Sequence, residues 1–275
     1  MARLRFRRNR DPEGRMSLGD HLRELRNRTL ISALAILVGS IYGWLNWEPL
    51  FNRLIEPVLT VAKAKTQGQG ITAVTFVGLT DSFSTLITVG LFVGLVVASP
   101  VWLWQIWAFI VPGLTRREKG LALAFIGAAV PLFLAGCLLA FWVLPRAVSA
   151  LLSFTPSAGS NILDVSPYLS FVLKFILVFG LGFLLPVFLV GLNVAHILSG
   201  RLMLRAWRGA VFLCFLFTAM MTPDPNPFTM IILAIPLAAL YFAAVGVSLL
   251  LDKRRAKKDP SAAWLQVADD EASAL

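Results

Sequence analysis

The stretch Ser17-Leu18-Gly19-Asp20-His21-Leu22-Arg23-Glu24-Leu25-Arg26-Asn27-Arg28 runs directly into Thr29–Trp47, which holds no charged residue. Leu18, Leu22 and Leu25 fall at i, i+4 and i+7, the spacing of one helix face. Ser17 or Asp20 is the expected cap. The first part therefore reads as an amphipathic helix on a membrane surface. The second is close to the roughly 20 residues that a helix needs to cross a hydrocarbon core of about 30 Å. No small-residue cleavage site follows it, so it reads as a retained span and not as a removed signal.

Five further apolar stretches follow: Phe83–Val111, Leu121–Leu144, Tyr168–Leu192, Gly209–Met221 and Phe228–Leu251. Of the 275 residues, 57% are hydrophobic and 15% are charged, and the mean hydropathy is +0.76. An ordinary soluble domain carries about 25% charge, and a single core of this size could not hide so much apolar surface. A cytosolic enzyme, a secreted disulfide scaffold and a disordered chain are excluded. The reading is an all-α polytopic membrane protein with six transmembrane helices. The fifth stretch would reach only about 20 Å at 1.5 Å per residue, so that helix is expected to be short, and the sixth is a candidate for the same. Pro100, Pro131, Pro186 and Pro236 interrupt spans two, three, four and six, where kinks rather than breaks are expected. Cys137 and Cys214 both lie in apolar stretches, and no structural disulfide is expected.

Lys and Arg divide unevenly among the connecting segments. Residues 1–28 hold nine, and residues 112–120, 193–208 and the tail from Asp252 bring that side to 20, against 4 on the other. By the positive-inside rule both termini lie in the cytoplasm. The net charge of +10 then belongs to an inner face against anionic lipid and not to a nucleic-acid surface. Residues 1–16 read as a basic cytoplasmic tail, 17–251 as the six-span membrane domain, and 252–275 as a second cytoplasmic tail, both tails disordered or lipid-touching. The long outer loop 48–82, with Pro49, Pro57 and the Gly68–Gly70 turn, reads as short helices capping the outer face. No internal repeat is visible, which gives no support to an inverted-repeat transporter.

Reaction chemistry is missing from the sequence. There is no phosphate-binding G-x-x-x-x-G-K-[ST] and no H-E-x-x-H, and His21 and His196 both fall near the cytoplasmic side, far apart in sequence. No metal cluster, cofactor or catalytic group is expected, and the chain does not read as an enzyme. Lys174 is the exceptional ionisable residue within a span, placed to snorkel outward. Two lone acids stand on the basic inner face. Glu24 lies four residues before Arg28, a helix pair worth about 0.2–0.5 kcal/mol by itself. Glu118 stands in Thr115-Arg116-Arg117-Glu118-Lys119. Before it come Trp102, Trp104, Trp107 and Phe109 with Gln105 among them, the tryptophans reading as interfacial anchors.

His21-Leu22-Arg23-Glu24-Leu25-Arg26 resembles the N-terminal signature of the TatC family, the signal-peptide receptors of the twin-arginine protein translocase. Ser99-Pro100-Val101-Trp102, Gln105-Ile106-Trp107-Ala108-Phe109-Ile110-Val111-Pro112-Gly113-Leu114 and Glu118 resemble that family's second span and first cytoplasmic loop. Tyr168-Leu169-Ser170-Phe171, Thr222-Pro223 and Leu233-Ala234-Ile235-Pro236 resemble its fourth span, last outer loop and sixth span. The resemblance implies a core receptor in the bacterial cytoplasmic (inner) membrane. Such a protein binds the twin-arginine signals of folded proteins and nucleates translocase assembly for export driven by the proton motive force. Expected partners are TatA- and TatB-type single-span subunits, lipid and further copies in a larger complex, with no nucleic acid. A small-molecule permease is the alternative.

Carried onto this chain, the resemblance places signal-peptide binding at Glu24, Glu118, Arg26, Gln105 and Phe109. It places partner-helix contact at Met221 and Thr222, and cap-shaping roles at Pro57 and Asp81. Leu184 stands where the family commonly has Glu or Gln, and either Asp224 or Asn226 stands for the acid of the last outer loop. The Arg7-Arg8 pair lies about 20 residues from the first span, too far for the chain itself to carry a twin-arginine signal.

Overall fold

The computed structural model describes residues 18–65, 73–110, 119–153, 162–195, 197–222 and 227–256. The elements are α1 (Leu18–Leu45), α2 (Trp47–Lys65), β1 (Ala73–Thr75), α3 (Asp81–Val97), α4 (Ser99–Ile110), α5 (Lys119–Ser153), β2 (Ile162–Asp164), α6 (Val165–Gly182), α7 (Leu185–Val194), α8 (Gly200–Arg205), α9 (Trp207–Met221) and α10 (Pro227–Ala256). Among the described residues four stretches are long and apolar enough to cross a membrane: Gly19–Leu45, Ala124–Leu151, Val165–Val194 and Pro227–Ala256. The bent pair α3–α4 supplies a fifth, and the short apolar α9 completes the six apolar stretches of the sequence.

The surface helix and first span expected as successive segments form one uninterrupted helix of 28 residues. At 1.5 Å per residue it is about 42 Å long, so its N-terminal turns extend beyond a 30 Å core. Helices α5 and α10 run through Pro131 and Pro236. Pro100 behaves differently from expectation: α3 and α4 meet at a break with a 61° bend. Proline has no N–H and its ring collides with the preceding turn, which frees carbonyls. At the break the indole N–H of Trp102 donates to the Leu95 carbonyl, one turn before Ser99, at 2.9 Å. Pro186 sits in the first turn of α7, where a missing N–H costs nothing. The backbone is interrupted at Phe183 and Leu184, yet α6 and α7 continue as one 30-residue span. The shortness read from the sequence is confined to α9, 15 residues or about 22 Å; α10 has 30 residues and is not short.

The described residues pack as two units, one within Met1–Leu50 and Phe83–Val130, the other within Phe51–Ser82 and Pro131–Leu275. In the first, Gly39 and Gly43 of α1 face Gly94 and Gly90 of α3. A Cβ on Gly39 would lie 2.9 Å from the Gly94 carbonyl oxygen, and one on Gly43 2.9 Å from the Gly90 Cα. Lipid offers no hydrophobic drive for helix pairing, so close backbone approach through small residues supplies the contact. Trp107, 2% exposed, stacks on Phe125 at 3.9 Å. Trp102 is also buried, so these two tryptophans are core residues and not the interfacial anchors expected; Trp104 remains exposed. Their position on α4, turned inward by the bend, decides the difference.

In the second unit α5 and α6 interlock. A Cβ on Gly136 would meet the Phe179 carbonyl oxygen at 2.7 Å, and one on Gly180 would meet Cys137 Sγ at 2.6 Å. Phe179 packs between Phe175 and Phe217. The loop expected to hold short helices holds α2, which joins the unit through the Tyr168 hydroxyl, donating to the Leu54 carbonyl at 3.0 Å. A two-stranded parallel sheet that is not legible in the sequence aligns Ala73, Val74 and Thr75 with Ile162, Leu163 and Asp164. Asp164 then caps α6 by accepting from the Ser166 N–H at 3.1 Å.

At the far end of this unit Asp252 of α10 accepts from Asn193 Nδ2 at 3.0 Å and from the Gly200 N–H at 2.8 Å. Arg255, one turn on, donates to the Asn193 and Val194 carbonyls at 2.9 and 3.2 Å. One turn of α10 thereby closes the C-terminus of α7 and the N-terminus of α8 together.

Candidate guanidinium site

Leu22 and Leu25 are exposed, on the face expected to lie on lipid, and the half-buried stripe against the protein is His21, Glu24 and Arg28, at i, i+3 and i+7. Helix α4, folded back by the break at Pro100, packs along this stripe. It brings Gln105 over Arg28 and Phe109 over His21, whose rings stack with centroids 4.5 Å apart.

Three hydrogen bonds converge on one guanidinium. Arg28 Nη2 and Nε donate to Glu24 Oε1 at 2.6 and 3.1 Å, and Nη1 donates to Gln105 Oε1 at 3.2 Å. The Glu24 and Arg28 side chains are 20% and 22% exposed, whereas the neighbouring Asp20–Arg23 pair, at 3.9 Å, is 63% and 73% exposed. A surface i,i+4 pair is worth about 0.2–0.5 kcal/mol. Partial burial and an acceptor from a second helix move this one toward the roughly 1.5–3 kcal/mol of a charge-assisted bond, with exposure reducing it. The carboxylate and the amide carbonyl thus form a seat whose chemistry matches a planar, multiply donating cation.

Of the residues expected to bind a signal, Glu24, Gln105 and Phe109 come together here. Arg26 is exposed and takes no part among the described residues. Glu118 lies outside the described residues, as do His196, Asp224 and Asn226. The His21–Phe109 stack and the Gln105 bond to Arg28 are not legible in the sequence, although the i, i+3, i+7 spacing of His21, Glu24 and Arg28 marks one helix face.

The other expected sites lie in the second unit. Met221 is exposed at the end of α9; Thr222 is buried, and its hydroxyl has no hydrogen-bond partner among the described residues. Pro57 is buried within α2. The Asp81 carboxylate accepts from the Gly78 N–H at 2.7 Å, while its own N–H donates to the Gly78 carbonyl at 3.2 Å. Leu184 is packed inside the protein at 2% exposure, and Lys174 is exposed.

Fold and site define a class: a helical, multi-pass membrane protein that presents a half-buried carboxylate and amide to a guanidinium. The profile of the Sec-independent protein translocase protein (TatC) family matches residues 20–236. The TatC protein of Xylanimonas cellulosilytica is 46% identical over 249 residues, covering 90% of this chain and 89% of that relative. That of Rothia mucilaginosa is 37% identical over 263 residues, covering 96% and 88%. A crystal structure of the twin-arginine translocase receptor TatC superposes with a TM-score of 0.65 at 32% identity, covering 84% of this chain and 98% of that one. The chain belongs to the TatC family. It is a multi-pass inner-membrane protein, a component of a protein translocase and not an enzyme.

Proposed function

We propose that this chain recognises the twin-arginine signal peptides of folded proteins and nucleates the translocase around them. One arginine pairs with Glu24 and the other with Glu118. Gln105 adds an acceptor beside Glu24, Phe109 adds apolar wall, and Arg26 contributes to the basic rim. The observation that carries the reading is the seat itself: Glu24 and Gln105 already hold a guanidinium at 2.6–3.2 Å. TatA- and TatB-type single-span subunits dock near Met221 and Thr222, and the proton motive force drives export.

The test is binding of a labelled twin-arginine peptide to the purified chain. Each charge-assisted pair is worth roughly 1.5–3 kcal/mol before exposure is discounted, and 1.4 kcal/mol is one decade. Glu24→Ala or Glu118→Ala should weaken binding about tenfold, and Glu118→Lys more. A twin-lysine peptide should bind less well, because lysine lacks the planar fork. Equal affinity of wild type and both alanine variants would remove the two acids from recognition.

A further inference from the structure

The seat assigned above to a signal arginine is already filled by the chain's own Arg28. We propose that Arg28 is an internal ligand that keeps the Glu24–Gln105 seat closed until a signal guanidinium displaces it. This inference rests on the recognition reading of Glu24.

The bond pattern argues for displacement rather than sharing. Both Arg28 donors to the carboxylate, Nη2 and Nε, fall on the same oxygen, Glu24 Oε1. A carboxylate oxygen has about two lone-pair sites, so Oε1 is filled. A fork-to-fork pair needs both oxygens of the carboxylate, so it cannot form while Arg28 stays. Gln105 Oε1 already accepts one bond, from Arg28 Nη1 at 3.2 Å. An incoming guanidinium would also stand beside a second cation with a single negative charge between them. Residues four apart on one helix would pair without help from elsewhere. The added acceptor from α4, 77 residues away in sequence, makes the arrangement a closed site and not a local surface pair.

Competition of this kind divides the affinity of every ligand for the seat by the fraction of time that the seat is open. Arg28 therefore sets a threshold. A ligand with a planar fork replaces all three hydrogen bonds, whereas an ammonium replaces them poorly and falls below the threshold. The discrimination between arginine and lysine belongs to Glu24 and Gln105, and the level that any ligand must reach belongs to Arg28.

The test measures peptide affinity for the full-length chain in nanodiscs, for wild type, Arg28→Gln, Arg28→Lys and Glu24→Gln. Opening the seat should tighten twin-arginine binding by about threefold to tenfold in Arg28→Gln, between the factor for a surface pair and that for a full charge-assisted bond. Twin-lysine binding should tighten by the same factor, leaving their ratio unchanged. Arg28→Lys keeps the charge but loses the fork, so it should tighten binding at least about twofold. Unchanged affinity in Arg28→Lys beside tightening in Arg28→Gln would reduce the effect to plain charge removal and overturn the proposal. Weaker binding in Arg28→Gln would overturn it too, making Arg28 a support of the seat. If Arg28→Gln does not fold, the Arg28→Lys result decides by itself. Glu24→Gln separates the two levels. If it leaves wild-type affinity unchanged, the recognition reading fails. If it weakens binding while neither Arg28 variant tightens it, only the internal-ligand proposal fails.

Discussion

Asp252→Ala should loosen the turn of α10 that holds α7 and α8. The carboxylate accepts from Asn193 Nδ2 at 3.0 Å and the Gly200 N–H at 2.8 Å, and it lies 3.6 Å from Arg255 Nη1. Asn193 is 1% exposed, so its freed N–H would be left without solvent. Its other bond, to the Leu198 carbonyl at 2.9 Å, would remain. Bonds to a charged acceptor contribute about 1.5–3 kcal/mol, and an orphaned buried donor costs about 1–3 kcal/mol. Asp252 and Arg255 are 32% and 33% exposed, which lets water replace part of the loss at Gly200 and Arg255. The net is about 2–3 kcal/mol, or roughly 4–10 °C in Tm for a chain of this size. The assay is thermal unfolding of purified protein in a mild detergent, followed by exposure of Cys137 and Cys214 to a thiol dye. Arg255→Ala should cost less. The double variant should cost less than the sum, because both side chains converge on Asn193. A Tm shift below about 1 °C for Asp252→Ala would refute the latch.

Three further outcomes are expected. A topology reporter fused after Ser160 should read outside the cytoplasm and one after Gly200 inside; the reverse at either place would overturn the orientation drawn from the 20-to-4 charge split. Gly94→Val should lower stability by at least about 2 kcal/mol, since even a Cβ there meets Ser40 and the Ile36 carbonyl, whereas Gly127→Ala, with nothing within 4 Å, should change it by less than about 0.5 kcal/mol. Cysteine at Met221 should crosslink to a co-expressed single-span subunit, and absence of crosslinks along the whole of α9 and α10 would count against docking there.

The six apolar stretches were legible because lipid makes a simple demand: about 20 uncharged residues per crossing, with every backbone group bonded within the helix. The short α9 followed from the same counting. Breaks were less legible. Pro131 and Pro100 look alike in sequence, but only Pro100 coincides with a bend of 61°, where the indole of Trp102 is a donor to the Leu95 carbonyl. That donor lies two residues beyond the proline and is a matter of three-dimensional placement. The tryptophans were misread for a related reason, because the direction a helix faces depends on the bend before it. At the site, Glu24 and Gln105 were picked out through family motifs, while Arg28 was read only as a surface pair. Its second partner comes from 77 residues away, and local spacing carries no trace of it.

The bend between α3 and α4 makes α4 a lever arm with its fulcrum at Ala98. Gln105 stands about six residues beyond the start of α4, or roughly 9 Å along the axis at 1.5 Å per residue. Rotating that arm by about 5° moves Gln105 by roughly 0.8 Å, which would stretch its 3.2 Å bond to Arg28 to about 4 Å, past hydrogen-bond range. The grip on a guanidinium is thus geared to the angle of a membrane helix. The Trp102 indole at the fulcrum works as the stop on that gear, so a change as small as Trp102→Phe, which touches neither Glu24 nor Gln105, should be felt at the seat.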